Sequence, residues 1–259
     1  VGYMVFNAHI ATAEQQLSDA FTNFQAEGLA DLVLDLRYNG GGYLAIASQL
    51  AYMITGASDT VGKTFELLRF NDKHPVNPVT GQVIEPMPFI GESLGFSIAE
   101  GQPLPYLGLR KVYILTGART CSASESIINA LRGINIEVVL IGVTTCGKPY
   151  GFYPKDNCGT TYFSIQFKGE NDIGFGDYSD GFSPANIAGT AGELVSGCAA
   201  LDDLSRELGD IQEGVFAAAL QYRNTMTCPA PPPVSQIFNA EILSLDVIES
   251  NKLLQSLVL

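Results

Sequence analysis

Strand-like and helix-like segments alternate twice along this chain, and that alternation predicts an α/β fold with a mixed, largely parallel sheet and flanking helices. The first instance runs strand, helix, strand, helix over residues 1–54, and the second covers residues 111–142. A further observation concerns the strands themselves. Leu29 to Leu36 and Val138 to Val143 are near-continuous apolar runs, as expected of strands covered on both faces.

Val1 to Phe6 reads as the first strand. Ala13 to Glu27 reads as a helix with Leu17, Ala20, Phe21 and Phe24 on one face, ended by Gly28. Leu29 to Leu36, interrupted by Asp31 and Asp35, is the second strand. The turn from Arg37 to Gly42 leads into a helix from Leu44 to Ile54. Thr64 to Phe70 reads as a strand or hairpin. Residues 71–108 carry six prolines and five glycines with little periodicity, and are read as an insertion or lid covering a cleft. Val112 to Leu115 is a buried strand, Gly117 a turn, and Ser122 opens a helix whose Ile127, Ile128 and Leu131 recur at core-facing spacing. Glu137 to Val143 is the next strand. Phe152 and Thr160 to Phe167 read as antiparallel strands around a turn at residues 156–159, extending the sheet. Asp202 to Leu208 and Ile211 to Tyr222 read as helical, the latter presenting Val215, Phe216, Ala219 and Leu220. Cys228 to Pro233 is a proline linker, and Ile237 to Leu259 an amphipathic tail that packs on the body or on a partner. No internal repeat is present.

With 259 residues and 46% apolar content, the chain can bury a substantial core. Its formal charge of −13 and lack of any basic run disfavour nucleic acid and anionic membrane surfaces as partners. No apolar run is long enough to span a bilayer, and no targeting signal is visible. The abrupt start on a strand is that of a processed chain or a fragment. Five cysteines (121, 146, 158, 198, 228) form no C-x-x-C pair and have few histidines nearby, which argues against zinc. In an exported protein the expected pairs are Cys146 with Cys158 and Cys198 with Cys228, leaving Cys121 free as a small buried filler.

Ser122 begins a helix, where unpaired backbone N–H groups and the positive end of the helix can stabilise an oxyanion. Ser122-x-x-Glu125 is equally a capping box, which needs no chemistry. Lys148 follows 26 residues later, just past the next strand, within reach of Ser122 by a strand–helix–strand path. The glycine triplet 40–42 lies at the carboxyl end of a strand, where α/β sheets bind ligands, but lacks the spacing of a phosphate cradle. His9 and His74 are poorly placed for a serine–histidine triad, and a thiol nucleophile at Cys121 would lack a histidine partner.

Three segments occur in order: Leu32-Val33-Leu34-Asp35-Leu36-Arg37-Tyr38-Asn39-Gly40-Gly41-Gly42, Ser122-Ala123-Ser124-Glu125, and Gly142-Val143-Thr144-Thr145-Cys146-Gly147-Lys148. Together they resemble peptidase family S41, the tail-specific or carboxyl-terminal processing proteases, which pair a serine with a lysine. The likeness spans roughly residues 1–185. It implies a core like that of the ClpP and crotonase group, with Ser122 as nucleophile and Lys148 as neutral general base. It also implies an oxyanion hole made by the N–H groups of Ala123 and of Gly41 or Gly42. A solvated lysine has a pKa near ~10.4, so burial would have to lower it by several units.

On this resemblance residues 1–228 form the catalytic domain, with 229–259 as linker and tail. The substrate is a polypeptide added as a strand near the glycine turn, and no metal or cofactor is required. The location is extracytoplasmic, in a bacterial periplasm or envelope. An upstream PDZ module or adaptor is a further expected partner, and membrane association would need a segment absent from this chain. Two positions depart from the family pattern, Pro149 and Phe152; many members place glutamine or glutamate at the latter to orient the lysine. Ser124, Glu125 or Asn157 would then hold Lys148, or the chain is a peptide-binding scaffold without activity. A crotonase-type acyl-CoA enzyme is a third reading, one that needs a basic groove.

Overall fold

The structure is a computed structural model and describes residues 1–71, 76–77, 81–153 and 155–232. In chain order its elements are β1 (Gly2–Val5), α1 (Ala13–Ala26), β2 (Leu32–Asp35), α2 (Leu44–Thr55), α3 (Ala57–Thr60), β3 (Thr64–Phe70), β4 (Met87–Pro88), β5 (Lys111–Thr116), α4 (Ala123–Gly133), β6 (Glu137–Gly142), β7 (Tyr150–Gly151), β8 (Lys155–Asn157), β9 (Thr160–Tyr162), β10 (Phe167–Glu170), β11 (Phe182–Pro184), β12 (Glu193–Val195), β13 (Gly197–Ala199) and α5 (Gly214–Thr225).

The central sheet has the order β1-β2-β5-β6-β13, and every neighbouring pair in it is parallel. Alternation along each strand divides the core. Leu32, Leu34, Ile114 and Leu140 point towards a cluster with Phe21 of α1, Ile46 and Leu50 of α2, and Ile127 and Leu131 of α4. Val33, Leu115, Val139 and Ile141 face the opposite way, against Val215, Phe216 and Ala219 of α5. Both faces are therefore covered, which is why the strands read as unbroken apolar runs. The expected α/β fold with a largely parallel sheet and flanking helices is the observed one. A second, antiparallel sheet of order β4-β3-β10-β7 stands beside it and meets α4 through β3.

Because all five central strands point the same way, the turns that follow β2, β5 and β6 emerge at one edge. Those turns carry the glycine triplet, Ser122 and Lys148.

Elsewhere the molecule differs from the sequence reading. Asp202 to Leu208 is a run of bends and turns, because the Asp203 carboxylate accepts the Ser205 N–H and O–H in place of a helical bond. β8 and β9 make a separate two-stranded hairpin and do not extend the central sheet. Their residues are all exposed, so they offer no apolar face to dock, while Cys158 and Gly159, both at positive φ, close the turn. The segment 71–108 is anchored to the body. Phe89 and Leu104, with Leu109 just beyond, join the main core, and the buried Glu14 carboxylate accepts the N–H groups of Leu94, Ser97 and Ile98. The tail 237–259 lies outside the described residues, as does His74.

Candidate active site

The backbone at Ser122 is held at φ 55°, ψ −119°, a conformation that L-residues seldom adopt. Strain of this kind survives only where neighbours fix it. The Ser122 N–H donates to Glu125 Oε2 (3.0 Å), the Cys121 N–H and the Ser124 hydroxyl donate to the Asn39 carbonyl (3.1 and 3.0 Å), and the Ser126 N–H donates to the Ser122 carbonyl (2.9 Å). Ile127, Ile128 and Leu131 are fully buried and lock α4 below the turn. Partly buried Ser122 thus sits at the mouth of α4, where it also forms the capping box with Glu125.

The glycine turn lies against it. A Cβ on Gly41 (φ +101°) would come within 2.8 Å of Ser122 Cβ and 3.0 Å of the Ala123 nitrogen, and one on Gly42 (φ +136°) within 2.3 Å of the His9 carbonyl oxygen. Glycine is required at both positions for conformation as well as space. The Gly41 N–H donates to Asn39 Oδ1 (3.0 Å), while Gly42 and Ala123, the latter at the first helical position, are the expected oxyanion donors whose N–H groups have no partner among the described residues. Asn39 Nδ2 donates to the Phe6 carbonyl, so its Oδ1 is an acceptor and His9 Nδ1, 3.0 Å away, carries the proton. His9 is fully buried behind this turn with Nε2 unpartnered, and burial lowers its pKa to about 4. It does not line the cleft.

Glu125 joins the two halves of the site. Completely buried, it accepts the Thr145 hydroxyl (2.5 Å), the Gly147 N–H (2.8 Å) and the Lys148 N–H (2.8 Å) in addition to Ser122. Burial pushes its carboxyl up from the ordinary range, against the lowering effect of these donors. Of the three residues expected to hold the lysine segment, Glu125 does so through the backbone, whereas Ser124 serves Asn39 and Asn157 sits in the exposed hairpin.

A disulfide between Cys121 and Cys146 makes the same connection covalently. Cys198 pairs with Cys228 as expected, but the expected partner of Cys146 was Cys158, which is instead a free, exposed cysteine in the hairpin turn. Sequence proximity favoured Cys158. Parallel neighbours β5 and β6 bring Cys121 within 5.3 Å (Cα to Cα) of Cys146.

Ser122 and Lys148 line one cleft of about 250 Å³, together with Gly42, Leu44, Glu66, Ser126 and Phe152. Lys148 is exposed there, its Nζ 5.8 Å from the centre of the Phe152 ring, and no hydrogen bond joins it to Ser122. None of the described residues of 71–108 is among those lining this cleft. Sequence reading missed Glu66. Its one signal was an acid on the same β3 face as Phe70, since residues two apart share a face.

The sequence profile of Peptidase family S41 matches residues 1–151. A solved structure from Bacteroides fragilis, assigned to the S41 proteases, is 27% identical with a TM-score of 0.68, over 87% of this chain and 55% of that one. The photosystem II D1 C-terminal processing protease shares the fold at 22% identity and a TM-score of 0.50, over 71% of this chain and 41% of that one. The chain thus spans about half the length of these structures. No curated protein matches it. With the profile covering more than half of the sequence and the motif turns meeting at one sheet edge, the chain belongs to peptidase family S41.

Proposed function

We propose that this chain is the catalytic part of a serine endopeptidase in which Ser122 is the nucleophile and Lys148 the general base. The observation that carries the reading is the strained Ser122 turn opening onto a cleft shared with Lys148 and Gly42. In the proposed reaction Lys148 swings from Phe152 into the cleft as an uncharged amine, an arrangement favoured when a bound peptide excludes water. It takes the Ser122 proton as Oγ attacks the scissile carbonyl carbon. The N–H groups of Ala123 and Gly42 stabilise the oxyanion. Collapse breaks the C–N bond, the proton passes from Lys148 to the leaving amine, and water then hydrolyses the acyl-enzyme by the reverse relay.

The substrates on this reading are unfolded or carboxyl-terminal segments of exported proteins. Two disulfides support an oxidising, extracytoplasmic compartment, and no described helix is long and apolar enough to cross a membrane. The position of Lys148 over Phe152 favours a second reading, a peptide-binding scaffold without hydrolytic competence. An unfolded protein substrate and a fluorophosphonate probe separate the two. Wild type should cleave and be labelled at Ser122, while Ser122→Ala and Lys148→Ala lose at least about a thousandfold in rate. Inertness of wild type and Ser122→Ala alike would select the scaffold, and labelling at another residue would reject Ser122 as nucleophile.

A further inference from the structure

The cleft beside Ser122 has an acid at its base that the hydrolytic scheme leaves unused. Glu66 reaches it from β3 of the antiparallel sheet, and though only 6% exposed it lines the cleft. Ser126, one helical turn after Ser122, lines the same cleft and acts on the Glu66 carboxyl against the effect of burial. Leu44, Phe152 and Phe167 give the cleft an apolar side, beside the polar Ser122, Ser126 and Tyr150. Among the described residues no cation contributes to holding the Glu66 charge. Nearby positive groups are engaged elsewhere: Lys168 of β10 with Glu170 and Asp177, Arg132 of α4 with Glu193, and Lys148 over Phe152 at the rim. The buried Tyr178 feels the Glu66 charge, and Lys148 and Tyr150 are the other titratable groups in the cleft lining.

A cleft that offers apolar side chains on one side and a carboxyl without its own cation complements an alkyl stem with a charged head. We infer that Glu66 is a specificity-determining residue, and that the cleft takes a lysine or arginine side chain of the substrate polypeptide with its charged head on the Glu66 carboxylate. This rests on the peptidase reading, which makes the occupant a polypeptide. Burial pushes the empty-site carboxyl up to about 7, so selectivity for the cation grows as pH rises through that value.

The test uses the Ser122→Ala chain, which holds peptides uncut, and unfolded peptides carrying lysine or the uncharged isostere norleucine at each position in turn. Calorimetry at about pH 8 should show one position where lysine binds at least about tenfold more tightly, with a smaller ratio at about pH 6. Adding Glu66→Gln, which keeps the shape of the side chain, should bring the ratio to unity while the melting temperature shows an intact fold. Equal binding of lysine and norleucine peptides throughout overturns the inference. So does a lysine preference that survives Glu66→Gln. Cleavage of the same peptides by wild type is scored separately. Lysine-selective binding without cleavage rejects the hydrolytic reading alone, and cleavage without selectivity rejects only the role of Glu66.

Discussion

Glu125 is the residue on which the geometry of the site turns, because one buried carboxylate accepts hydrogens from both the Ser122 turn and the segment Thr145 to Lys148. Truncation to alanine strands several buried donors, and each such loss costs about 1–3 kcal/mol. Glu125→Ala should therefore lose at least about 3 kcal/mol in urea unfolding, with Glu125→Gln less affected because its carbonyl still accepts. Two other buried groups oppose each other with pH. The Glu66 carboxyl has a folded value raised to about 7, so the folded state binds a proton that the unfolded chain releases, and stability falls as pH rises from 4.5 to about 7. His9 is lowered to about 4, so the unfolded chain binds the extra proton and stability falls as pH drops from 6.5 to about 4. Each effect amounts to about 3 kcal/mol, since a tenfold change in proton affinity on folding is worth about 1.4 kcal/mol. Wild-type stability should then vary little from these two groups across the shared window. Glu66→Gln should expose a loss on acidification; if its unfolding free energy tracks that of wild type at every pH, Glu66 does not titrate there.

Among the elements, the turns following β5 and β6 are fastened twice, by the Cys121–Cys146 disulfide and by the hydrogen bond from the Cys146 N–H to the Thr120 carbonyl. A bridge spanning 25 residues typically contributes about 2–4 kcal/mol by restricting the unfolded chain. The Cys121→Ala, Cys146→Ala double variant should lose that much in denaturant titration. It should also show slower probe labelling of Ser122, since the loop then relies on Glu125 and the Cys146–Thr120 backbone hydrogen bond; unchanged labelling would confine the disulfide to stability. The strands of the central sheet up to β6 and the helices α1, α2 and α4 were legible because their apolar periodicity is set by local geometry and by burial on both faces, whereas the short α3 and β4 carry no such pattern. Nor was the segment around Asp202 legible. Its apolar residues mimic a helical stripe, but side chains bonding their own backbone, and Asp202 reaching Arg37 and Tyr38, hold it as turns.

Over the whole molecule, the far end of the chain is tied to the second strand by ion pairs. Arg37, 3% exposed, is paired with Asp35 (2.7 Å), Asp202 (2.7 Å) and Glu213 (2.8 Å), while Tyr3 donates to Asp35 (2.6 Å). Glu213 also caps α5, accepting the Val215 and Phe216 N–H groups. Removing the single cation leaves buried carboxylates uncompensated, a change that typically costs about 3–5 kcal/mol. Arg37→Met should lower stability by that amount in urea. Because Arg37, Asp35 and Glu213 are shielded from solvent, most of the deficit should persist in high salt. A deficit that vanishes as salt is raised would mean that the pairs are effectively solvent-exposed.

The sequence by itself determined the α/β class and the three motif segments, because each is written in local spacing and residue type. Tertiary structure decided which cysteine faces Cys146, that Glu125 grips the lysine turn, that Lys148 rests on Phe152, and that Glu66 enters the cleft from another sheet. Those contacts depend on strand order and on how two sheets stand against one helix, and no periodicity along a single chain encodes a distance between segments that only folding brings together.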